Sequence, residues 1–371
     1  MRVLITNQFL DKPSGTDRYV CDLARGLLQR NCLPAVYSPH PGQAADELRR
    51  STVPVVDRLA KMTTTPDVIH GHHSHPTMAA LAAFPHTPAV YFCHDWDAWH
   101  DRPLDHPRVL RHVAVDQTCY DRLVCLGGVP EDRALLLPNW VDLGRFTPRA
   151  PLPARPRRAL VFNNLIRLAG RRDPFRTACR AEGIELDFAG AASGGSVAHP
   201  EQMLGRYDVV FARGKSAMEA LAVGAAVVLC GFGRLGPMVT PEALDTLRGQ
   251  NFGRRAIQTP LTAEGVRTQL ARYNPAEAAQ ASARVRGECG MTPVIDALVG
   301  LYAQVIAEHA AAPPNAAAEG RAVAAYLEET QQMVELGAAR WRRKQREAEL
   351  RAAGAPGLLA RIAWPRRRRA G

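Results

Sequence analysis

The stretch Tyr207 to Cys230, YDVVFARGKSAMEALAVGAAVVLC, constrains this chain more than any other. An apolar, β-branched run of strand length (Val209, Val210, Phe211) leads into a turn at Gly214. A helix-period segment centred on Met218 to Leu221 follows, then a break at Gly224 and a second β-branched run, Val227 to Leu229. Strand, glycine turn, short helix, glycine and strand make a βαβ unit, which requires parallel pairing and a right-handed crossover. In open parallel sheets ligands sit at the carboxyl ends of the strands, so the loop Ala212 to Ser216 and the helix start should face one. A helix start offers unpaired backbone N–H groups and the positive end of the helix dipole. Arg213, Gly214, Lys215 and Ser216 lie there, with Glu219 one turn further in. That set suits a phosphate with a hydroxyl-bearing sugar beside it.

The 371 residues are enough for two domains, each with its own core. The eight cysteines are scattered singly with no CxxC, and several fall in apolar strand-like runs. They read as buried thiols in a reducing compartment. The opening MRVLITNQF has no basic segment ahead of a long apolar one, so no secretory signal is expected. The longest apolar run, Ala220 to Gly233, is broken by glycines and is too short to span a bilayer. A cytoplasmic protein is expected. The net charge of +11 is uneven: residues 313–371 hold twelve Arg or Lys against six Glu, which leaves +6 there and +5 elsewhere. Only four of the basic residues are Lys, a bias that reads as genome composition rather than as nucleic-acid binding.

Taken in order, RVLIT (2–6), the loop Asn7 to Thr16 and the helix-period segment Asp17 to Gln29 open a Rossmann-like domain. The G-x-G-x-x-G fingerprint is missing, which disfavours a dinucleotide cofactor; none is expected. Leu33 to Ser38, Asp67 to His70, Ala89 to Cys93, His112 to Asp116 and Leu135 to Leu137 read as further strands. Helical stretches are expected around Thr77 to Phe84 and over Gln117 to Leu126. Two of the strands end in histidine-rich sequence, HGHHSH (70–75) and HDWDAWH (94–100). Imidazoles can hold a metal, but this spacing fits no zinc pattern, and clustered His also line polar clefts. No metal site is expected. Pro148 to Pro156 form a stiff linker. Ala159 to Asn163 opens a second domain, Glu185 to Gly190 is its next strand, and the loop GAASGG (190–195) lets backbone approach a ligand. GFGRLGPMVT (231–240) reads as another glycine loop at a strand end. Pro260 to His309 is helical, and Ala311 to Ala318 is a linker. From Arg321 the pattern is helical and basic, ending in GLLARIAWPRRRR. That end either lies on an anionic membrane surface, with Trp364 at the interface, or is a solvated tail.

Two segments carry a specific resemblance. GKSAMEALAVGAAVVL resembles the donor-binding segment of GT-B glycosyltransferases, most closely glycosyltransferase family 4, and LLLPNWVDLGRFTP (135–148) is similar to that family's PNGVDLxRFxP signature. In the second, Asn139, Val141, Asp142, Arg145, Phe146 and Pro148 match, while Trp140 replaces a small residue; it is a structural signature of the domain junction. The resemblance implies that Glu219 holds the ribose of a nucleotide-sugar. Where the family has a second Glu eight positions earlier, this chain has Phe211. It further implies that Gly15 and Thr16 stand where a glycine-rich loop nears the donor phosphates. His94 would contact the transferred sugar, with Asp95 orienting it, or else would only line the cleft. The family often grips the diphosphate with an Arg and a Lys after the first strand of the second domain. The loop NNLIRLAGRRDPF supplies Arg167, Arg171 and Arg172 and no Lys, and each is either a phosphate ligand or a surface Arg. Gly190 and Arg213 to Ser216 complete the expected donor site.

The implied architecture is α/β, a GT-B fold of two Rossmann-like domains facing a cleft. Residues 1–148 would form the acceptor-side domain, 149–158 the linker, 159–310 the donor domain and 311–371 a linker and basic helical tail. The implied reaction moves a sugar from a nucleotide-diphosphate-sugar to the hydroxyl of a glycan, lipid-linked or protein acceptor, with retention and without a metal, since helix N-termini and cations stabilise the leaving diphosphate. The tail offers peripheral contact with the inner membrane face, and no specific nucleic acid is expected. Two alternatives stand beside this. One is a nucleotide-sugar epimerase on the same fold, and the other is a binding or scaffold protein that kept the fold and lost the chemistry.

Overall fold

Short β-branched and aromatic runs separated by helices pair in parallel, because only a crossover helix can return the chain to the same edge. In the N-terminal half these runs are β1 (Arg2–Thr6), β2 (Phe9–Leu10), β3 (Leu33–Tyr37), β4 (His40–Pro41), β5 (Val55–Val56), β6 (Val68–His72), β7 (Ala89–Cys93), β8 (Val109–Ala114) and β9 (Ala134–Leu136). Seven of them form one parallel sheet in the order β5-β3-β1-β6-β7-β8-β9, while β2 and β4 pair separately. The second half contributes β10 (Arg158–Phe162), β11 (Glu185–Ala189), β12 (Val209–Ala212), β13 (Ala226–Gly231), β14 (Arg234–Met238) and β15 (Thr259–Pro260). Their order is β11-β10-β12-β13-β14-β15, parallel as far as β13 and antiparallel beyond it. The helices are α1 (Gly15–Leu28), α2 (Gln43–Arg50), α3 (Ser74–Ala83), α4 (Gln117–Asp121), α5 (Pro174–Ala181), α6 (Gly214–Val223), α7 (Leu244–Gly249), α8 (Ala263–Leu270), α9 (Pro275–Glu288), α10 (Met291–Ala311) and α11 (Ala316–Ala352).

This computed structural model describes residues 1–11, 15–164, 166, 170, 173–193, 195, 197, 199–313 and 315–352, and within α11 it leaves aside the side chains of 332, 336–338, 340, 341, 343, 344 and 346–352. The chain divides into two compact units: Met1–Leu104 with Arg108–Pro313, and Asp105–Pro107 with Pro314–Gly371. Both sheets belong to the first unit. The second contains the 37-residue helix α11, on which Leu327 and Val334 are exposed. The terminal run 357–369, expected to touch a membrane, falls outside the described residues.

The βαβ unit read from Tyr207 to Cys230 is present as β12, α6 and β13. Gly224 ends α6 at φ +98, the left-handed conformation in which a helix stops and which glycine adopts without a Cβ clash. The first core gathers Val3, Ile5, Leu23, Val90, Phe92 and Trp140, and the second Val141, Phe146, Leu160, Val210, Met218 and Leu229. Successive residues of the 135–148 signature thus enter opposite cores: Trp140 joins the first and Val141 the second. The Val141 N–H donates to the Cys289 carbonyl at 2.9 Å, and the Met291 N–H donates to the Val141 carbonyl at 3.0 Å. The signature is the seam that ties the two sheets together.

The chain returns to the first sheet through α10. By length and composition this helix could cross a bilayer. Here Ile295, Leu298, Tyr302 and Val305 are buried in the first core, which accounts for its apolar face. Two expectations need correction. Gln117 to Leu126 is not one regular helix, since α4 stops at Asp121 and the chain continues as a wider π turn through Leu126. GFGRLGPMVT is not an open loop but a β-hairpin. Phe232 (φ +55) and Gly233 (φ +69) form its two-residue turn, and β14 pairs back on β13 with Leu235 and Met238 buried.

Candidate active site

The carboxyl ends of the two sheets face a cleft of about 870 Å³, part of it open to solvent. One wall is the start of α1 with α2 beside it. The other is the end of β10 (Phe162, Asn163, Asn164) and the first turn of α6 (Lys215, Ser216, Glu219). This is the crevice that strand-end topology dictates.

Glu219 is 4% exposed, and no hydrogen bond reaches its carboxylate among the described residues. Burial pushes its carboxyl up to about 7; the positive Lys215 pulls the other way, and the negative Asp22 adds to the rise. A buried carboxylate with no protein partner at a cleft wall is left to water or to a ligand for its hydrogen bonds. The neighbouring helix start is equally open. Arg213, the residue before α6, makes no side-chain cap, and the Gly214 N–H donates to the Phe252 carbonyl at 3.1 Å. The Lys215 and Ser216 N–H groups have no backbone partner among the described residues. An oxyanion placed there meets two donors and the helix dipole.

Lys215 lines the cleft, but its charge is already engaged. Its Nζ lies 3.0 Å from Asp22 Oδ2 and donates to the Trp140 carbonyl at 3.0 Å. Asp22, on the buried face of α1, also meets Arg145 at 3.1 Å and Arg25 at 3.5 Å, and Arg145 continues to Glu201 at 2.8 Å. Asp22, Trp140 and Arg145 therefore hold the cleft wall, though Asp22 carries no sequence signal and Trp140 reads as a mere departure from the signature. Arg213 instead lies over the Phe232 ring at 4.2 Å. Arg254 sits between Phe232, at 5.5 Å, and Trp96, at 4.2 Å.

The remaining expected donor residues divide. Gly15 lines the cleft with open space where a Cβ would stand, and Thr16, half-buried, starts α1 beside it. Arg167, Arg171 and Arg172 lie outside the described residues. Gly190 is required by the backbone around it. At φ +140 a Cβ there would sit 2.3 Å from the Asn163 carbonyl oxygen, so it is the neighbouring loop that comes close. Asn163 and Asn164, missed by the sequence reading, are the residues that this crossing presents to the cleft. Asn163 donates to the Cys230 carbonyl at 3.1 Å, and Asn164 Oδ1 accepts from the Ala191 N–H at 3.1 Å. Their only signal was position, at the end of the first strand of the second sheet. Phe211, where the family has its second Glu, is fully buried with its ring 4.9 Å from Phe175. At this point of the chain the side chain faces the core rather than the cleft.

His94 follows β7 and is partly buried; burial pushes its imidazole down to about 3, with Asp95 opposing, so it is neutral. Its Nε2 lies 2.7 Å from His72 Nδ1. The expected role of Asp95 needs correction, because its Oδ1 accepts from the Asp97 and Ala98 N–H groups, both at 2.8 Å, and caps that turn instead of orienting the imidazole. Tyr19 packs against both His72 (5.1 Å) and His94 (4.8 Å). His73, His100 and Asp101 bring ligand atoms within 4.8 Å of one another, the one such group among the described residues. His73 Nδ1 accepts the Gln8 N–H at 3.0 Å, so in the neutral ring the proton sits on Nε2 and neither nitrogen offers a free lone pair to a cation.

Residues 13–145 match the family model described as Glycosyltransferase Family 4. Among solved structures, HepE from Anabaena in complex with UDP-glucose is similar with a TM-score of 0.62 at 14% identity, over 82% of this chain and 100% of that one. A glycosyltransferase from Rickettsia africae gives 0.61 at 12% identity, over 82% and 98%. Sucrose-phosphate synthase from Thermosynechococcus elongatus gives 0.54 at 14%, over 83% and 99%. No curated protein matches the sequence. The family match bears out the resemblance to family 4 glycosyltransferases and the enzyme class read from it, and the structural likenesses bear out the GT-B fold.

Proposed function

We propose that this GT-B glycosyltransferase moves a sugar from a nucleotide-diphosphate-sugar to an acceptor hydroxyl on a glycan, a lipid-linked carrier or a protein. The observation that carries the donor assignment is Glu219: a buried carboxylate, unpartnered among the described residues, one turn from the open start of α6. The ribose hydroxyls donate to Glu219, and the Lys215 and Ser216 N–H groups take the phosphates. As the glycosidic bond to the phosphate breaks, charge accumulates on the leaving diphosphate, where preorganised N–H dipoles act without a metal. Arg213 adds a cation at the same strand end. His94 contacts the transferred sugar, and transfer proceeds with retention. UDP is the first nucleotide to test, since HepE was solved with UDP-glucose.

We place the enzyme in the cytoplasm, in keeping with eight free cysteines, of which seven are buried. The basic C-terminal segment makes peripheral contact with the inner face of the membrane. The experiment is calorimetric titration of UDP, GDP and ADP, without metal, into wild type and Glu219→Ala. One nucleotide should bind, and the substitution should weaken it by about 1–3 kcal/mol, the cost of a lost charged hydrogen bond. Failure of all three to bind wild type would leave a scaffold as the better account. Epimerisation of a UDP-sugar without any acceptor would favour the epimerase.

A further inference from the structure

Behind His94 lies an array of buried ring nitrogens and hydroxyls that the donor site does not use. His72 and His70 are fully buried on β6, and Tyr19 is 2% exposed. His70 Nδ1 is hydrogen-bonded to the Tyr302 hydroxyl, and the His70 and His72 rings lie 4.5 Å apart. His72 Nδ1 meets His94 Nε2 at 2.7 Å, while His72 Nε2 is buried with no hydrogen-bond partner among the described residues.

Those two facts decide where the protons sit. A neutral imidazole carries one N–H and one lone pair. If His94 Nε2 donated to His72 Nδ1, the His72 proton would be on Nε2 and a buried N–H would be left unpaired. If His72 Nδ1 donates to His94 Nε2, the unpaired atom is a lone pair. Orphaned buried N–H donors are the rarer defect in folded proteins. The second arrangement puts the His94 proton on Nδ1, the nitrogen that His72 does not occupy.

We propose that His72 is a positioning residue that holds His94 as the Nδ1–H tautomer, so that His94 presents a neutral hydrogen-bond donor to an oxygen of the transferred sugar. The sugar contact rests on the glycosyltransferase reading above, but the tautomer does not. Because Nε2 is saturated by His72, His94 neither accepts a proton from substrate nor acts as a base. Its contribution is a fixed N–H dipole, pre-oriented by a buried neighbour among rings that burial keeps uncharged.

The test is nitrogen NMR on protein with 15N-labelled histidine, His94→Gln identifying the His94 signals among the twelve histidines. In free wild type, His94 should appear as one tautomer with the proton on Nδ1. His72→Asn places an amide N–H near the same point and should keep that tautomer. His72→Phe should shift His94 toward the Nε2–H form that an unconstrained imidazole favours. With UDP and UDP-glucose as probes, His72→Phe should lose roughly tenfold of the preference for UDP-glucose, worth about 1.4 kcal/mol, with UDP binding unchanged. Wild-type His94 protonated on Nε2, or a tautomer indifferent to His72→Phe, would overturn the proposal even if that variant folds poorly, because the wild-type spectrum decides alone. An intact tautomer with no UDP-glucose binding would count against the transferase reading and leave the His72–His94 pair standing.

Discussion

Glu219→Gln should make this protein more stable while it loses its ligand. The ordinary value for such a carboxyl is 4.5, and burial raises it to about 7. Four charged groups face it: Lys215, Arg18 and Arg145 favour the carboxylate, and Asp22 disfavours it. Between those two values the native state keeps a proton that the unfolded chain has already released. Wild-type stability therefore falls as pH rises through that window and is level above it. Linkage puts the cost at about 1 kcal/mol at pH 5 and about 3 kcal/mol at pH 8. Gln carries no charge at either pH and avoids it. Thermal unfolding of both proteins at pH 5 and pH 8 reads the difference directly. Glu219→Gln should melt higher than wild type, by a margin that grows with pH. An equal or lower melting temperature for the variant at pH 8 would show that Glu219 is satisfied within the free protein, and would remove the argument that a ligand must complete it. Titration of UDP into the same two proteins should show the opposite order, with the less stable wild type binding more tightly.

Two further substitutions probe the cleft walls. Asp22→Ala strips the partner from Lys215 and from Arg145; leaving buried charge uncompensated should cost about 3–5 kcal/mol, against about 0–1 kcal/mol for Asp121→Ala in the exposed pair with Arg255. Equal losses in urea unfolding would mean that Asp22 is not the hub of the wall. Phe211→Glu, which writes back the family's second carboxylate, should not restore a site. It buries a charge beside Phe175, and the yield of soluble protein should collapse; a folded variant with tighter nucleotide binding would show that the side chain can turn to the cleft.

Much of this protein was legible in one dimension because the responsible forces are local. β-Branched runs broken by glycines specified parallel strands, and Gly224 stopped α6 where a left-handed residue was needed. Glu219 and the helix start carried enough pattern to point to a nucleotide-sugar site, because a helix N-terminus exposes donors whatever surrounds it. Where side chains spend their charge was decided elsewhere. Lys215 read as a phosphate ligand until Asp22, 193 positions away in the chain, came within 3.0 Å of it. Asp95 read as the partner of His94, but its carboxylate was taken by the turn beside it, and His72 came from another strand to fill the place. Phe211 read as a missing ligand and proved to be a core ring. Periodicity and turn chemistry follow from bonds between neighbours, so the sequence determined the elements and their order. Ion pairs, tautomers and cleft walls depend on which distant groups share a low-dielectric space, and only the packing of one sheet against the other decided that.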